Sequence, residues 1–266
     1  MANYKKVTPI GRNRTIIEIE LIEKCILKDD RLIWIPDPKE RNPKKGTSSE
    51  KQQARNNAKA MRNLSRKINE NLEPGDLFLT GTYRGKIQPT EEQAEKDIKE
   101  LIRHVRQIGK WMGARALKAI AVIEDEDKRI HIHALFTATL GADEIIIRSL
   151  WKKHGKMIIS TLDPTGEYTG IANYISKETP RPHKKRWIQT RNLRMPKSEY
   201  EEITKEQLSE EIEAIPGYRK LYETYTFIDG ADGIGRRYRY AKFIKNGNYD
   251  LAWGETETVP EDIDND

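Results

Sequence analysis

Cysteine is almost missing from this sequence: Cys25 is the only one in 266 residues. An internal disulfide and a thiolate zinc cluster are therefore both excluded. Long apolar runs are missing as well. No stretch approaches the roughly 18 residues of a membrane-spanning helix. The N-terminal MANYKKVTPIGRNR lacks the apolar core of a signal peptide. The expectation is a soluble, cytoplasmic protein with no membrane partner. A Walker phosphate loop is also lacking, because Gly230 to Gly235 has no Gly-Lys-Ser/Thr ending and no strand–helix context. That segment reads as a turn, and no ATPase or helicase domain is expected. Histidine is scarce, five in all, so two placed side by side carry weight.

Charge is plentiful but unevenly spread. Charged residues make up 34% and hydrophobic ones 36%, which is polar for a globular chain but too well patterned for full disorder. The net charge is +6, with ten Lys/Arg against two acids in residues 38–67 and seven Lys/Arg without an acid in 181–197. The last twelve residues hold six acids and no base. Clustered base ahead of an acidic tail points to a polyanionic partner, most simply nucleic acid.

The central stretch is Arg129 to Phe136, RIHIHALF. It alternates, and a strand sends residues of equal parity to one face. Ile130, Ile132, Ala134 and Phe136 then face a core, and His131 and His133 stand together on the other side. Their backbones are about 7 Å apart, close enough to share one metal ion.

Around that strand the chain reads as follows. Residues 1–49 form a basic N-terminal arm, with an edge strand from Arg14 to Glu23 and a hairpin partner at Arg31 to Ile35. Glu50 to Leu72 has no breaker and reads as a long basic helix. Asp76 to Tyr83 is a buried strand. Thr90 caps a helix that runs to about Met112, with Gln93 closing a capping box. Leu117 to Glu124 is a strand, and Asp125 to Lys128 turns it into the histidine strand. A helix from Gly141 through Trp151, a strand at Met157 to Leu162 and a helix at about Tyr168 to Lys177 complete a domain over 50–197. The class expected is α+β: a central antiparallel sheet carries the His-x-His strand, with helices packed on one face. Residues 198–254 read as an embellishment or small subdomain, opening on an acidic helix at 198–213. Residues 255–266 read as a disordered acidic tail.

Two histidines on one metal want a third ligand. If residues 125–128 close the hairpin, Val122 faces His131 and Glu124 shares the histidines' face, one diagonal step from His131. A one-residue slip would turn Glu124 away and offer Glu126. Two imidazoles and a carboxylate with open positions suit a divalent ion, Mn²⁺ or Mg²⁺, that polarises a phosphate. About forty residues on, Tyr174 and Lys177 sit one turn apart on a helix. A phenol is a poor nucleophile near neutrality, and a neighbouring cation lowers the cost of its phenolate.

Three blocks in order, Phe78 to Tyr83 (FLTGTY), His131-Ile132-His133 and Tyr174 to Lys177 (YISK), resemble the three motifs of HUH endonucleases. More narrowly they resemble rolling-circle replication initiators of phages and plasmids, the group related to filamentous-phage replication proteins. The resemblance covers about residues 50–197. It implies that His131, His133 and Glu124 hold the metal on a scissile phosphate. It implies that Tyr174 attacks to leave a 5′-phosphotyrosine, with Lys177 helping to position or neutralise. It implies single-stranded or extruded DNA at a replication origin as substrate and host replication machinery as partner. Thr80 and Thr82 fall in the first block, as structural or DNA-contacting residues outside the catalytic set. The helix offers one tyrosine, since Tyr168 is nearly two turns away. Candidate DNA contacts are Arg181, Lys184, Lys185, Arg186, Trp187, Arg191 and Arg194, with Arg236 to Tyr240 and the helix at 50–72 adding base and aromatics. A transposase or mobilisation relaxase would share this chemistry. A non-catalytic nucleic-acid-binding protein would share only the basic surface, and a water-using metal phosphoesterase would not need Tyr174.

Overall fold

In a computed structural model the described residues are 2–28, 31–33, 50–85, 88–126, 129–176, 187–229 and 235–248. The expected acidic tail, 255–266, lies outside them, as does the turn at 230–234. In chain order the elements are β1 (Ala2–Ile10), β2 (Ile16–Lys28), β3 (Arg31–Ile33), α1 (Glu50–Asn71), β4 (Leu77–Tyr83), α2 (Glu91–Trp111), β5 (Ala119–Glu126) and β6 (Arg129–Phe136). They continue as α3 (Asp143–Trp151), β7 (Gly155–Thr161), α4 (Thr169–Ser176), β8 (Ile188–Gln189), β9 (Glu199–Ile203), α5 (Lys205–Ser209), β10 (Tyr218–Asp229) and β11 (Gly235–Lys245).

The fold is α+β with two antiparallel sheets. One is five-stranded in the order β7-β4-β6-β5-β8, and the other runs β10-β11-β2-β1-β9 with β3 on β2. The single sheet expected from the sequence is thus only the first of two. Helices also cover both faces of the histidine-bearing sheet rather than one. On one side α2 and α3 press Ile98, Leu101, Val105, Ile147 and Trp151 onto Leu79, Ile123, Ile130, Ile132 and Phe136. On the other, α1 and α4 bring Leu64, Ile68, Ala172 and Ile175 onto Ile120, Val122 and Leu135. The alternation of β5 and β6 feeds both cores, because each strand has an apolar set on each parity.

Residues 1–28 and 199–245 correct the reading of a basic arm and a separate embellishment. β1 is no arm: it pairs with β2 on one side and β9 on the other. The strand expected at an edge, β2, is central, between β1 and β11. The acidic helix expected at 198–213 is β9 followed by the short α5, which Thr204 caps. The reason is charge pairing across the layers. Glu18 and Glu20 of β2 are buried on the face towards α1. There Arg66 donates to Glu18 and Glu20, each at 2.6 Å. Buried carboxylates of this kind are tolerated only when paired, and the partner arrives from α1, far away in the chain.

Arg236, Tyr238 and Tyr240, read as a DNA-facing run, are buried in this same sheet. Tyr238 donates to Glu20 at 2.7 Å and accepts from Arg62 at 2.6 Å. They tie α1 to β11 and present no stacking platform.

Two glycines set how closely the motif strands approach. At Gly155 a Cβ would lie 2.1 Å from the carbonyl oxygen of Thr82, so only glycine lets β7 close on β4. At Gly81 a Cβ would stand 3.2 Å from Trp151 and Met157, so the missing side chain seats the tryptophan.

Candidate active site

The β5–β6 register differs from expectation by two residues. Glu124 pairs with His131, Val122 with His133 and Ile120 with Leu135. The hairpin is shorter than the four-residue turn assumed, since Glu126 still pairs with Arg129. A two-residue slip preserves parity, so Glu124 stays on the histidines' face. It lies directly opposite His131 and diagonal to His133. Its side chain takes the diagonal: Oε2 of Glu124 is 2.7 Å from Nε2 of His133.

His133 is held from both nitrogens. Nδ1 lies 3.3 Å from the hydroxyl of Thr80, its cross-strand partner on β4. A carboxylate only accepts, so Nε2–H donates to Glu124 and Nδ1 accepts from Thr80 in this arrangement. Phe78 stacks on the same imidazole, 5.9 Å between centroids and 7° from parallel. His133 is only 4% exposed. His131 is half-buried and faces Thr82 across the strand pair. Thr80 and Phe78 are contacts the sequence could not assign, because which residue of FLTGTY meets which histidine depends on register.

Tyr174 comes to this face on α4. Its ring meets His133 edge-on with centroids 5.2 Å apart, and meets Phe78 at 6.4 Å. It is 56% exposed, so its hydroxyl is open to solvent and to a large substrate. Tyr168 is different in kind. It is 1% exposed, its hydroxyl donates to the carbonyl of Asp163, and burial together with Asp163 pushes its phenol well up. It belongs to the core and offers no second nucleophile. Tyr83, at the end of the first motif block, is likewise turned to the opposite face. Burial and a hydrogen bond to Asp97 raise its hydroxyl.

The start of α4 is fixed by both neighbours. Asn69 of α1 accepts from the Tyr168 amide at 2.7 Å, and the Thr169 hydroxyl lies 2.8 Å from that of Ser65. From β11, Lys242 donates to Thr169 at 2.6 Å and to Glu167. Both sheets therefore help to place Tyr174. Nothing local in the sequence of α4 points to Lys242.

Lys177, Arg181, Lys184, Lys185 and Arg186 lie outside the described residues. Trp187 is half-buried against the α1–α4 core and stands under the Lys67 ammonium, 5.8 Å from ring centre to nitrogen. Arg191 and Arg194 are exposed at the β8 edge, where Asn71 bonds both backbone groups of Arg194.

A metal at this site can be tested on its donors. The 2.7 Å between Nε2 of His133 and Oε2 of Glu124 is near the spacing of two neighbouring ligands on one ion at about 2.1 Å each. His131 adds a third donor from the row of Glu124. Among the described residues, no three His, Cys, Asp or Glu side chains converge into a ready-made metal centre. The set fits an ion that keeps open positions for water or phosphate, rather than a closed structural site. Among the described residues no helix is long and apolar enough to cross a membrane.

No curated protein and no solved structure matches the chain. Residues 76–179 run from just before β4 to just beyond α4 and so carry Thr80, Glu124, both histidines and Tyr174. They match the family model of the ORF2 and gene-2-protein type of replication-associated protein.

Proposed function

We propose that this protein nicks and rejoins single-stranded DNA with Tyr174 as nucleophile, and so initiates rolling-circle replication of a phage or plasmid. The observation that carries the reading is the contact between Tyr174 and His133. A solvent-open phenol from α4 lies against a buried imidazole of β6, and that imidazole is itself bound to Glu124. The match to replication-associated proteins over 76–179 favours a replication role over transposition or mobilisation.

In the proposed reaction the Tyr174 oxygen bonds to the scissile phosphorus and the bond from phosphorus to the 3′ oxygen breaks. The phenol gives up its proton and the departing 3′ oxygen takes one up, so charge balances. The products are a 5′-phosphotyrosine and a 3′-hydroxyl ready for a polymerase. His131, His133 and Glu124 would hold a divalent ion, and that ion would polarise the phosphate and spread its developing charge. Nitrogen donors beside one carboxylate suit Mn²⁺ better than Mg²⁺, which prefers oxygen. Thr80 fixes the ring of His133 through Nδ1, and its hydroxyl can donate or accept as the imidazole changes tautomer. Phe78 excludes water from one face of that ring. Lys177, three residues beyond the nucleophile, is the expected charge at the leaving oxygen.

The test is a denaturing gel of labelled single-stranded oligonucleotides with Mn²⁺ or EDTA, comparing wild type with Tyr174→Phe. The expected result is a metal-dependent covalent protein–DNA adduct that the variant cannot form. Cleavage that persists in the variant without an adduct would replace the tyrosine mechanism with hydrolysis.

A further inference from the structure

The face that carries the histidines is covered unevenly. Over β5 it is roofed by α1 and α4, and Ile120, Val122 and Leu135 are buried beneath them. Over β4 and β7 the side chains of the same face are open. On β7, Met157 and Ile159 point into the core, whereas Lys156, Ile158 and Ser160 are exposed. Ile158 is 51% exposed in the middle of a strand. Lone surface isoleucines are common, so its meaning lies in its place.

Register sets that place. One cross-strand row runs Glu124, His131, Thr82, Lys156, and the next runs Val122, His133, Thr80, Ile158. Neighbouring strands lie about 4.8 Å apart, so the backbone of Lys156 is about 10 Å from that of His131. Its four-carbon stem can bring the ammonium over Thr82, beside the site. On the half of this face formed by β4 and β7, the residues are Phe78, Thr80, Thr82, Lys156, Ile158 and Ser160. They include one cation and no acid. Among the described residues no carboxylate pairs with Lys156. β7 is the edge of the sheet, so no further strand closes the trough on that side.

We propose that this open half is the track along which single-stranded DNA passes the site. Lys156 holds the backbone phosphate beside the one that is cut, and Ile158 supports the adjoining sugar or base. The inference rests on the nicking reading for the position of the scissile phosphate. A polyanion meets one cation and no repulsion here, which is the charge complementarity that single-strand grooves use.

The test separates this track from the chemistry by measuring binding in the Tyr174→Phe background. A short fluorescein-labelled oligothymidylate is titrated by anisotropy across a salt series. Lys156→Ala is expected to weaken binding and to make the slope of log K against log salt shallower by about 0.7, the share of one phosphate on a single strand. Lys110→Ala removes the same charge from the end of α2, on the other side of the sheet, and is expected to leave the slope unchanged. Ile158→Ser is expected to weaken binding at constant slope. With Tyr174 restored, Lys156→Ala should raise KM and leave kcat nearly intact. Equal slopes for Lys156→Ala and its parent would overturn the track. A lowered slope in a protein that forms no adduct would support the track and remove only the nicking reading.

Discussion

Glu124 stands directly across from His131 yet bonds diagonally to His133, with 2.7 Å between Oε2 and Nε2. One carboxylate is thereby shared between two histidines, opposite one and bonded to the other. In this position it can organise both rings. Glu124→Gln keeps the shape and removes the charge. We expect the Mn²⁺ needed for half-maximal nicking to rise tenfold or more, with folding unchanged. A metal titration of adduct formation measures this, and an unchanged requirement would take Glu124 out of the ligand set.

Thr80 reaches the other nitrogen of His133. Thr80→Val keeps the branched shape and deletes the hydroxyl, leaving the imidazole free to turn. A loss of about 10–100-fold in metal affinity or activity is expected, and Thr80→Ser should recover most of it. If valine works as well as threonine, the hydroxyl does not orient the ring.

Gly155→Ala addresses the seam between β7 and β4. Its Cβ would fall 2.1 Å from the Thr82 oxygen, in a pairing that also aligns Lys156 with His131. Backbone must move, at about 2–3 kcal/mol, which for a chain of this size lowers Tm by roughly 5–10 °C. Calorimetry decides it. A Tm within a degree or so of wild type would mean that the strands are less closely locked.

Acid stability tests the buried charge layer. Burial opposes ionisation of Glu20, but Arg66 and then Lys6 outweigh it and hold the carboxyl at about 2, against an ordinary 4.5. The unfolded chain then binds more protons than the folded one in this window, so stability rises with pH across it. The contribution is complete above about 4.5 and is lost as pH falls towards 2. Its size is on the order of 3 kcal/mol. Denaturant unfolding of wild type and Glu20→Gln from about pH 5 downwards should show a steep loss in the first and a shallower one in the second. Parallel curves would mean that Glu20 is not the group being titrated.

The features legible in the chain alone are those of short range. Alternation in RIHIHALF placed the histidines on one face and the isoleucines on the other, because a strand has a period of two. Spacing in residues 50–72 and 90–112 marked two amphipathic helices, and Thr90 marked where the second begins, accepting from the Gln93 amide at 3.2 Å. Even a hairpin register off by two left Glu124 on the right face, because such a slip preserves parity. Which side chains meet is a matter of packing between distant segments. Thr80 opposite His133, Tyr174 over it and Lys156 in the row of His131 are set by hydrogen-bond register and helix docking between stretches far apart in the chain. The second sheet was hidden for the same reason. Glu18 and Glu20 read as surface charges until Arg66, Lys6 and Tyr238 close around them, and a strand that buries carboxylates is stable only when those distant partners arrive together.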